Sequence, residues 1–498
     1  RSFHPSVKNT VINMIRPSCD EIVQLSKEYG IIPVCKEIYA DFITPITLLR
    51  KMSVYSKSFF LLESVEGGEA WGRYSFLGYQ PVLRIYCKNG HITVEGEEKT
   101  TFPVSDPYEF LKDLLRQYQS PKLPDMPPFT GGLVGYFSYG MISYDVPFLK
   151  LKSSVYNDFD LMLFDKVIAF DHLKQKLFII VNMKTDKVME NYGNALATIE
   201  KIKNMIQSPM PSGYRHTTGK PEFSCNISKE KFINMVEKVR KYIYEGEIYQ
   251  AVISRRFEAE YADSLLNAYR VLRTTNPSPY MVFLQNEELQ IISSSPETMV
   301  RLRDGLLTTI PIGGSRPRGK DLSEDEAFAA ELLKDEKEIS EHAMLVDLAK
   351  NDLGKVSEIS SVRISDNMKL RRYSRIMHIT TEIQGRIRKD KDALDAIRAM
   401  LPAGTLSGSP KIRACEIIEE IEKEPRGIYG GAIGYIDFSG NMDTCIAIRM
   451  AIKRKNRVYI QAGCGIVAES NPEKEYEETH NKALAMIEAV EWAREVEE

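Results

Sequence analysis

The strongest constraint on the fold is a β-hairpin signal in the first half of the chain. Residues 82–94 form two alternating apolar and polar segments joined by Asn89-Gly90, and an Asn-Gly pair in that setting is typical of a two-residue hairpin turn. Strand patterns recur in the second half, with long helical patterns between them, at 280–284, 289–293, 428–438, 444–453 and 457–462. Hairpins grouped apart from helices predict an antiparallel α+β fold and disfavour alternating βαβ units.

The chain divides best at 206–223, where Pro, Ser and Gly interrupt the periodic pattern. The periodicity predicts a helix on each side of this break, over 188–206 and over 229–245. We therefore expect an N-terminal region, 1–222, and a second region, 223–498.

Composition excludes several classes of protein. Charged residues make up 27% of the chain, yet the net charge at pH 7 is only -3, which argues against a nucleic-acid partner or a membrane surface. No apolar run reaches the length of about 18 residues that a transmembrane helix needs. The seven cysteines are dispersed without a C-x-x-C pair, which fits the reducing cytoplasm. Cys464 lies between two glycines, but no base partner that would make it a nucleophile is evident nearby.

Two pairs of glutamates have the spacing of a shared helix face. Glu338 and Glu341 are three residues apart, as are Glu475 and Glu478, and an apolar run follows each pair. If the two helices face each other, four carboxylates converge, and a hard cation such as Mg²⁺ would offset their repulsion. Taken alone, the spacing also fits two solvated acidic helix faces.

A weak internal similarity links the two regions. Residues 131–137 read Gly-Gly-Leu-Val-Gly-Tyr-Phe, and residues 430–436 read Gly-Gly-Ala-Ile-Gly-Tyr-Ile. Both patterns indicate strands that other backbone approaches closely. A duplicated framework and a coincidence of strand chemistry explain the similarity equally well.

Four further motifs occur in a fixed order in the second region. They are Pro-Ile-Gly-Gly-Ser-Arg-Pro-Arg-Gly at 311–319, Glu-His-Ala-Met-Leu-Val-Asp-Leu-Ala-Lys-Asn-Asp-Leu-Gly at 341–354, Ala-Gly-Thr-Leu-Ser-Gly-Ser-Pro-Lys at 403–411 and Gln-Ala-Gly-Cys-Gly-Ile-Val-Ala at 461–468. With these motifs the chain resembles the chorismate-utilising enzymes, and most closely the anthranilate synthase component I family, from about Ser26 to the C-terminus. The resemblance implies a sandwich of two large antiparallel sheets with helices outside and the active site between the sheets. It also implies that the two regions intertwine into one globular body.

Residue roles follow from the resemblance where the motifs match. Glu341 and Glu478 are expected to bind Mg²⁺ directly, and Glu338 and Glu475 through metal-bound water. The expected substrate-binding residues are Gly314, Ser315, Tyr429, Arg449, Gly463, Gly465, Lys482 and Gln250. An Arg fork and a Lys point charge suit a carboxylate, and the glycines let backbone approach the substrate. Glu297 is expected to be the general acid for the departing hydroxyl, His378 to take part in proton transfer, and Thr405 to lie beside the ring.

The nucleophile can be argued from two positions. Relatives that add water have Lys where this chain has Gln250, and Gln cannot act as a base. Many aminodeoxychorismate synthases have Lys where this chain has Gly313, so no amine is available here to attack the ring. Ammonia is therefore the expected nucleophile, delivered by a separate glutamine amidotransferase subunit, because no glutaminase motif is present. Most anthranilate synthases have Ala-Gly-Thr where this chain has Gly313-Gly314-Ser315, so Gly313 and Ser315 depart from the family pattern.

The implied reaction converts chorismate and ammonia to anthranilate and pyruvate, the first step of tryptophan biosynthesis. Residues 59–64 and 72–78 resemble the tryptophan feedback segment of the family. The expected tryptophan site contains Glu63, Ser64, Pro279, Tyr280 and Met281. Two alternatives remain at this point: an aminodeoxychorismate synthase component I of the folate pathway, and a tryptophan-binding regulatory homologue without activity.

Overall fold

The computed structural model describes residues 15–64, 72–211, 219–373 and 376–496. Within these ranges the chain forms two large antiparallel β-sheets together with eleven α-helices. The predicted α+β sandwich is confirmed. The predicted boundary at 206–223 is described only in part, because residues 212–218 lie outside the described residues.

The strands, numbered in chain order, are β1 (Ile15–Arg16), β2 (Ile31–Tyr39), β3 (Phe59–Glu63), β4 (Tyr74–Tyr79), β5 (Leu83–Lys88), β6 (His91–Glu95), β7 (Lys99–Pro103), β8 (Gly132–Phe137), β9 (Phe159–Phe164), β10 (Lys166–Asp171), β11 (Lys176–Lys184), β12 (Ser224–Cys225), β13 (Gln250–Glu260), β14 (Tyr280–Gln285), β15 (Leu289–Ser295), β16 (Thr298–Arg303), β17 (Leu306–Ile310), β18 (Ile312–Pro317), β19 (Arg363–Arg372), β20 (Ile376–Arg386), β21 (Gly408–Ser409), β22 (Ala432–Asp437), β23 (Met442–Ile446), β24 (Met450–Arg454) and β25 (Arg457–Ile466). The α-helices are α1 (Cys19–Leu25), α2 (Pro45–Tyr55), α3 (Pro107–Arg116), α4 (Val188–Gln207), α5 (Lys229–Tyr244), α6 (Leu266–Thr275), α7 (Leu322–Leu332), α8 (Glu336–Gly354), α9 (Ala393–Met400), α10 (Lys411–Ile421) and α11 (Pro472–Trp492). Short 3-10 helices span Tyr139–Tyr144, Gly404–Leu406 and Ala493–Glu495.

Each sheet contains strands from both regions of the chain. The first sheet has the order β1-β2-β11-β10-β4-β3-β14-β15-β24-β25-β13-β12, with β21 also paired to β13. The second sheet has the order β18-β20-β17-β16-β23-β22-β8-β9-β5-β6-β7, with β19 also paired to β20. The two regions therefore meet at one strand pair in each sheet, β3 with β14 and β22 with β8.

Two apolar cores surround the first sheet. One core lies between the sheets and includes Phe60 and Ile291 of the first sheet and Leu133 and Phe159 of the second. The other core lies on the opposite face of the first sheet, where α2, α4, α6 and α11 pack against it. The first sheet is thus buried on both faces, which explains its nearly continuous apolar strands such as β11.

Several predicted elements are confirmed. Strands β5 and β6 pair with Lys88 opposite His91, and both turn residues, Asn89 and Gly90, have positive φ (48° and 73°), as a type I′ hairpin turn requires. Helices α4 and α5 match the predictions at 188–206 and 229–245 to within one residue. The two similar glycine segments are neighbours, since β8 and β22 pair with Gly135 opposite Gly434.

Two strand predictions were wrong in extent. The strand predicted over 428–438 begins only at Ala432, because Gly430 has φ 81° and turns the chain before the strand. The strand predicted over 444–453 is two strands in different sheets, β23 in the second and β24 in the first. The chain passes between the sheets at Ala447–Arg449, where Arg449 has φ 48°. Residues 445–452 are apolar except for Arg449, so no break in the pattern marks the crossing.

Candidate active site

A cavity of about 600 Å³ lies where the two sheets and helices α8 and α11 meet. All of the residues that the sequence assigned to catalysis, substrate binding and metal binding line it. They are Gln250, Glu297, Gly314, Ser315, Glu338, Glu341, His378, Thr405, Tyr429, Arg449, Gly463, Gly465, Glu475, Glu478 and Lys482. Residues from four separate motifs therefore share one cavity, while their individual roles stay predictions.

Glu297 reaches the cavity because it lies on a crossing between the sheets. The chain leaves the first sheet at Ser295, the end of β15, and enters the second at Thr298, the start of β16. Burial raises the pKa of Glu297 to about 8. Thr405 Oγ1 donates a hydrogen bond of 3.1 Å to Glu297 Oε1, which opposes that rise. A carboxyl that stays protonated at neutral pH can act as a general acid.

His378 lies on β20 beside strand β18, opposite Ser315 and next to the irregularity in the pairing at Gly314. Its Nδ1 lies 3.0 Å from the carbonyl oxygen of Gly314. Because a carbonyl oxygen can only accept, Nδ1 carries the proton and a neutral ring keeps Nε2 as an acceptor. Burial lowers the pKa of His378 to about 4, so the ring is neutral above that pH and can accept a proton during a reaction.

Arg449 and Lys482 bring positive charge to one side of the cavity. Arg449 Nη1 donates to the carbonyl oxygen of Lys482 at 2.9 Å. Lys482 Nζ donates to the carbonyl oxygen of Gly463 at 3.1 Å and forms an ion pair of 2.5 Å with Glu478 Oε1. Burial lowers the pKa of Arg449, yet a guanidinium remains protonated in proteins. The two cations can therefore bind a carboxylate group of a substrate.

Helix caps place the acidic residues at the edge of the cavity. Asp335 caps α8 by accepting from the amides of Lys337 and Glu338, and Asn471 caps α11 in the same way. The paired glutamates therefore lie in the first two turns of two helices that both border the cavity.

The glutamates raise one another's pKa. Burial, followed by the charge of neighbouring carboxylates, raises the pKa of Glu338, Glu341 and Glu475. Across the described ranges, no three His, Cys, Asp or Glu side chains are already gathered as a metal-binding group. Glu478 is instead paired with Lys482, and Glu341 Oε1 accepts from Gln250 Nε2 at 3.2 Å.

At three glycines of the wall, an added Cβ would come too close to a neighbouring side chain. A Cβ at Gly465 would lie 2.3 Å from Gln250 Nε2, and a Cβ at Gly463 would lie 2.8 Å from the hydroxyl oxygen of Tyr429. A Cβ at Gly313 would lie 2.5 Å from Nδ1 of the fully buried His342. The local structure therefore disfavours both Ala and Lys at position 313, the residues that the resemblance led us to compare with Gly313.

Some residues of the cavity were missed from the sequence. Lys337, Lys474, Gln461 and Asn481 also line it. Each is a neighbour of a motif residue that we singled out, so proximity in sequence was the available signal. The reading of Cys464 as a non-nucleophile agrees with its burial, which raises the pKa of the thiol and keeps it protonated.

A second cavity, of about 380 Å³, contains all five residues predicted for tryptophan: Glu63, Ser64, Pro279, Tyr280 and Met281. Sequence analysis missed Arg301, Tyr435 and Asp443, which also line it. The Glu63 carboxylate accepts from Tyr269 at 2.8 Å and from Arg273 at 2.7 Å. Residues 65–71, between the two parts of the predicted feedback segment, lie outside the described residues.

Hydrogen bonds and strand pairing connect the second cavity to the crossing that carries Glu297. The hydroxyl group of Tyr280 donates to Asp443 Oδ1 at 2.8 Å and lies 3.0 Å from Thr298 Oγ1. Thr298 directly follows Glu297 in the chain. Tyr280 also pairs with Ser295 across β14 and β15. A residue of the second cavity therefore contacts both ends of the crossing that carries Glu297.

Comparison with known proteins agrees with this arrangement. The profile of the chorismate binding enzyme family matches residues 58–488. Anthranilate synthase component 1 of Acetivibrio thermocellus is 44% identical, over 97% of this chain and 100% of that protein. The protein of the same name from Aquifex aeolicus is 42% identical, over 97% and 99% of the two chains.

Solved structures give the same result. Anthranilate synthase component I from Streptococcus pneumoniae superposes with a TM-score of 0.77 at 36% identity, over 90% of this chain and 99% of that one. The menaquinone-specific isochorismate synthase of Escherichia coli shares the fold, with a TM-score of 0.71 at 18% identity, over 95% and 98% of the two chains. No helix in the described part of the chain is long and apolar enough to span a membrane. The chain belongs to the anthranilate synthase component 1 family of chorismate binding enzymes.

Proposed function

We propose that this chain converts chorismate and ammonia to anthranilate and pyruvate, as the synthase subunit of tryptophan biosynthesis. The observation that carries the proposal is the shared cavity. It combines a protonated carboxyl at Glu297, a neutral imidazole at His378, and two cations at Arg449 and Lys482. Family membership supplies the substrate class, and the cavity supplies the groups that the reaction needs.

Each group has a task in this reaction. Arg449 and Lys482 bind the enolpyruvyl carboxylate of chorismate, with Tyr429 beside them. Glu297 gives its proton to the C4 hydroxyl as that group leaves and ammonia adds at C2, and Thr405 holds the Glu297 carboxyl in place. His378, oriented by the carbonyl of Gly314, moves the proton in the later elimination of pyruvate. The buried Gln250 has no titratable proton with which to activate water, which favours ammonia over hydrolysis.

Magnesium suits the acidic edge of the cavity. Glu341 and Glu478 would hold the ion directly, and Glu338 and Glu475 through water, because hard oxygen donors are the ligands that Mg²⁺ prefers. Bound there, the ion supplies positive charge that fixes a substrate carboxylate. Burial, followed by repulsion from neighbouring carboxylates, raises the pKa of Glu338, Glu341 and Glu475, and a bound cation would offset both effects.

Two further parts of the proposal concern other molecules. Ammonia comes from a glutamine amidotransferase subunit, the component that the relatives' designation as component 1 implies. Tryptophan binds the cavity of Glu63, Ser64, Pro279, Tyr280 and Met281 and inhibits the enzyme. Support for inhibition comes from the contact of Tyr280 with Thr298, next to the proposed acid.

The reaction can be tested with the purified chain, chorismate, Mg²⁺ and an ammonium salt. We expect ortho-aminobenzoate, followed by its fluorescence, together with pyruvate. A para-substituted amine that keeps the enolpyruvyl group would support an aminodeoxychorismate synthase instead. With glutamine as the only nitrogen source, the isolated chain should make no anthranilate, and synthesis under that condition would contradict the need for a partner subunit.

A further inference from the structure

A buried ion pair lies directly behind the catalytic cavity. Arg426 is 5% exposed and Glu422, at the end of α10, is 6% exposed. Arg426 Nε donates to Glu422 Oε2 at 2.8 Å, and Nη2 donates to Oε1 at 2.7 Å. Neither residue lines the cavity. A buried pair of this kind is weak evidence for stability, because desolvation offsets much of the attraction, so its geometry needs another explanation.

The ion pair joins two segments of the cavity wall. Arg426 Nη1 donates to the carbonyl oxygen of Leu406, and Nη2 to that of Val252, both at 2.5 Å. Glu422 Oε1 accepts from the amide and the hydroxyl of Ser254 at 2.7 and 2.8 Å. Leu406 and Val252 both line the cavity. One guanidinium thereby fixes the turn Gly404–Leu406 against strand β13.

The fixed turn carries Thr405, whose hydroxyl contacts the proposed acid. Gly404–Leu406 is a single 3-10 turn without a side-chain cap. Besides Arg426, the amide of Val252 ties it to β13 by donating to the carbonyl oxygen of Ser407 at 2.9 Å. Arg426 binds the carbonyl of the residue directly after Thr405. A shift of this turn would change the 3.1 Å contact between Thr405 Oγ1 and Glu297 Oε1. Lys at position 426 would supply a charge but could not reproduce the planar fork that reaches both carbonyls and Glu422.

We propose that Arg426, held by Glu422, is a positioning residue that acts through Thr405 to keep Glu297 in place for proton transfer. This inference rests on the proposed role of Glu297 as the general acid. The charged group that also acts on Glu297 is Lys482, which contacts Gly463 and Glu478 and is not bonded to the ion pair.

The test is a double-mutant cycle between Arg426→Lys and Thr405→Val, measured with chorismate, Mg²⁺ and an ammonium salt. The matched control is Arg84→Lys. Arg84 is 8% exposed and pairs with the buried Asp160 at 2.9 and 2.7 Å, and it lines neither cavity. For each variant, kcat, the chorismate KM, the alkaline limb of the pH–rate profile and the melting temperature are measured.

We expect Arg426→Lys to lower kcat by about 10- to 100-fold, with a smaller change in KM. Its alkaline limb should shift to higher pH, as in Thr405→Val, because the contact that lowers the pKa of Glu297 is lost. The double variant should resemble the single variants, since both changes break one contact. Arg84→Lys should lower the melting temperature but leave the alkaline limb of the pH–rate profile at the wild-type pH.

Other outcomes overturn the inference. If Arg426→Lys lowers only the melting temperature, or if its effects and those of Thr405→Val multiply independently, the ion pair is merely structural. If Arg426→Lys fails to fold, Glu422→Gln takes its place, because it weakens the ion pair with Arg426 but keeps an oxygen that accepts from Ser254. The alkaline limb of its pH–rate profile must then shift to higher pH. An unchanged alkaline limb in Glu422→Gln contradicts the proposed role of Arg426. A wild-type protein that makes no anthranilate would instead overturn the proposed function, whatever the variants do.

Discussion

Glu297 and Arg449 lie on two crossings through which the chain passes from one sheet to the other. The two crossings are bonded to each other: Ile446 donates its amide to the carbonyl oxygen of Glu297, and Ser294 donates to that of Arg449, both at 3.0 Å. The proposed acid and the proposed carboxylate-binding cation are thus fixed by neighbouring backbone. The backbone at Glu297 is therefore held rigidly, and its carboxyl group has a defined environment.

The first prediction concerns pH. Because the pKa of Glu297 is raised to about 8, the acid is protonated below that pH and loses its proton as the pH rises through it. At a constant concentration of neutral ammonia, the rate should therefore fall above about pH 8. At constant total ammonium, the rise in neutral ammonia opposes this loss and the profile should be bell-shaped. A rate that keeps rising at constant neutral ammonia would contradict the role of Glu297.

The second prediction concerns stability. The pKa of Glu297 is 4.5 for an unperturbed side chain and about 8 in the folded protein. The native state therefore holds a proton that the unfolded state has lost, and stability falls as pH rises from 4.5 to 8. Glu297→Gln should abolish activity yet raise the free energy of unfolding by about 3 kcal/mol at pH 7. In urea denaturation, the difference in unfolding free energy between Glu297→Gln and the wild type should shrink toward zero near pH 4.5. A variant less stable than the wild type at pH 7 would contradict the raised pKa of Glu297.

The third prediction concerns metal. Glu341→Gln or Glu478→Gln removes one ligand charge and keeps the shape, so turnover in Mg²⁺ should be lost while the circular dichroism spectrum is unchanged. Glu336→Gln is the control, because this exposed residue begins the same helix and lies outside the cavity. It should keep wild-type activity. Equal rates in a chelator and in Mg²⁺ would rule out a metal requirement.

The fourth prediction concerns Gly313. An added methyl group would lie 2.5 Å from Nδ1 of His342, which is fully buried. Gly313→Ala should therefore lower the free energy of unfolding by about 1–3 kcal/mol and reduce activity. Gly193→Ala is the control, since nothing lies within 4 Å of its added Cβ in α4, and it should gain up to about 1 kcal/mol. Thermal unfolding compares the two, and similar melting temperatures would mean that His342 moves freely.

The fifth prediction concerns tryptophan. Ser64→Phe fills the second cavity and should abolish inhibition while leaving ammonia-dependent activity largely intact. In the wild type, chorismate and tryptophan should weaken each other's binding by the same factor, as linkage requires. Fluorescence of anthranilate during tryptophan titration measures the effect. If Ser64→Phe loses activity and stability together, β3 is only a structural strand. If tryptophan does not inhibit the wild-type enzyme, the feedback proposal is wrong.

Much of this architecture could be predicted from the sequence, because local chemistry decides it. The Asn89-Gly90 turn and the helix patterns at α4 and α5 depend on neighbouring residues. The crossing at Arg449 could not be predicted, because the residues on both sides of it are apolar and no Gly or Pro marks the point where the chain changes sheets. The proposed role of the Glu422–Arg426 ion pair could not be predicted either. Arg426 contacts the carbonyl oxygens of Leu406 and Val252, which are distant from it in the sequence.

The two cavities are built from different parts of the chain. Among the described residues, every one that lines the candidate active site comes from the second region, whereas the proposed tryptophan cavity is built from both regions. That second cavity borders both junctions, with Glu63 opposite Met281 at one and Gly434 at the other. Tyr139 of the first region also packs under Arg426, 4.8 Å from the guanidinium to the ring centre, so the first region supports the catalytic wall from outside the cavity. Under the proposed feedback, the sensitivity to tryptophan is open to change by substitutions in the first region that never touch the substrate.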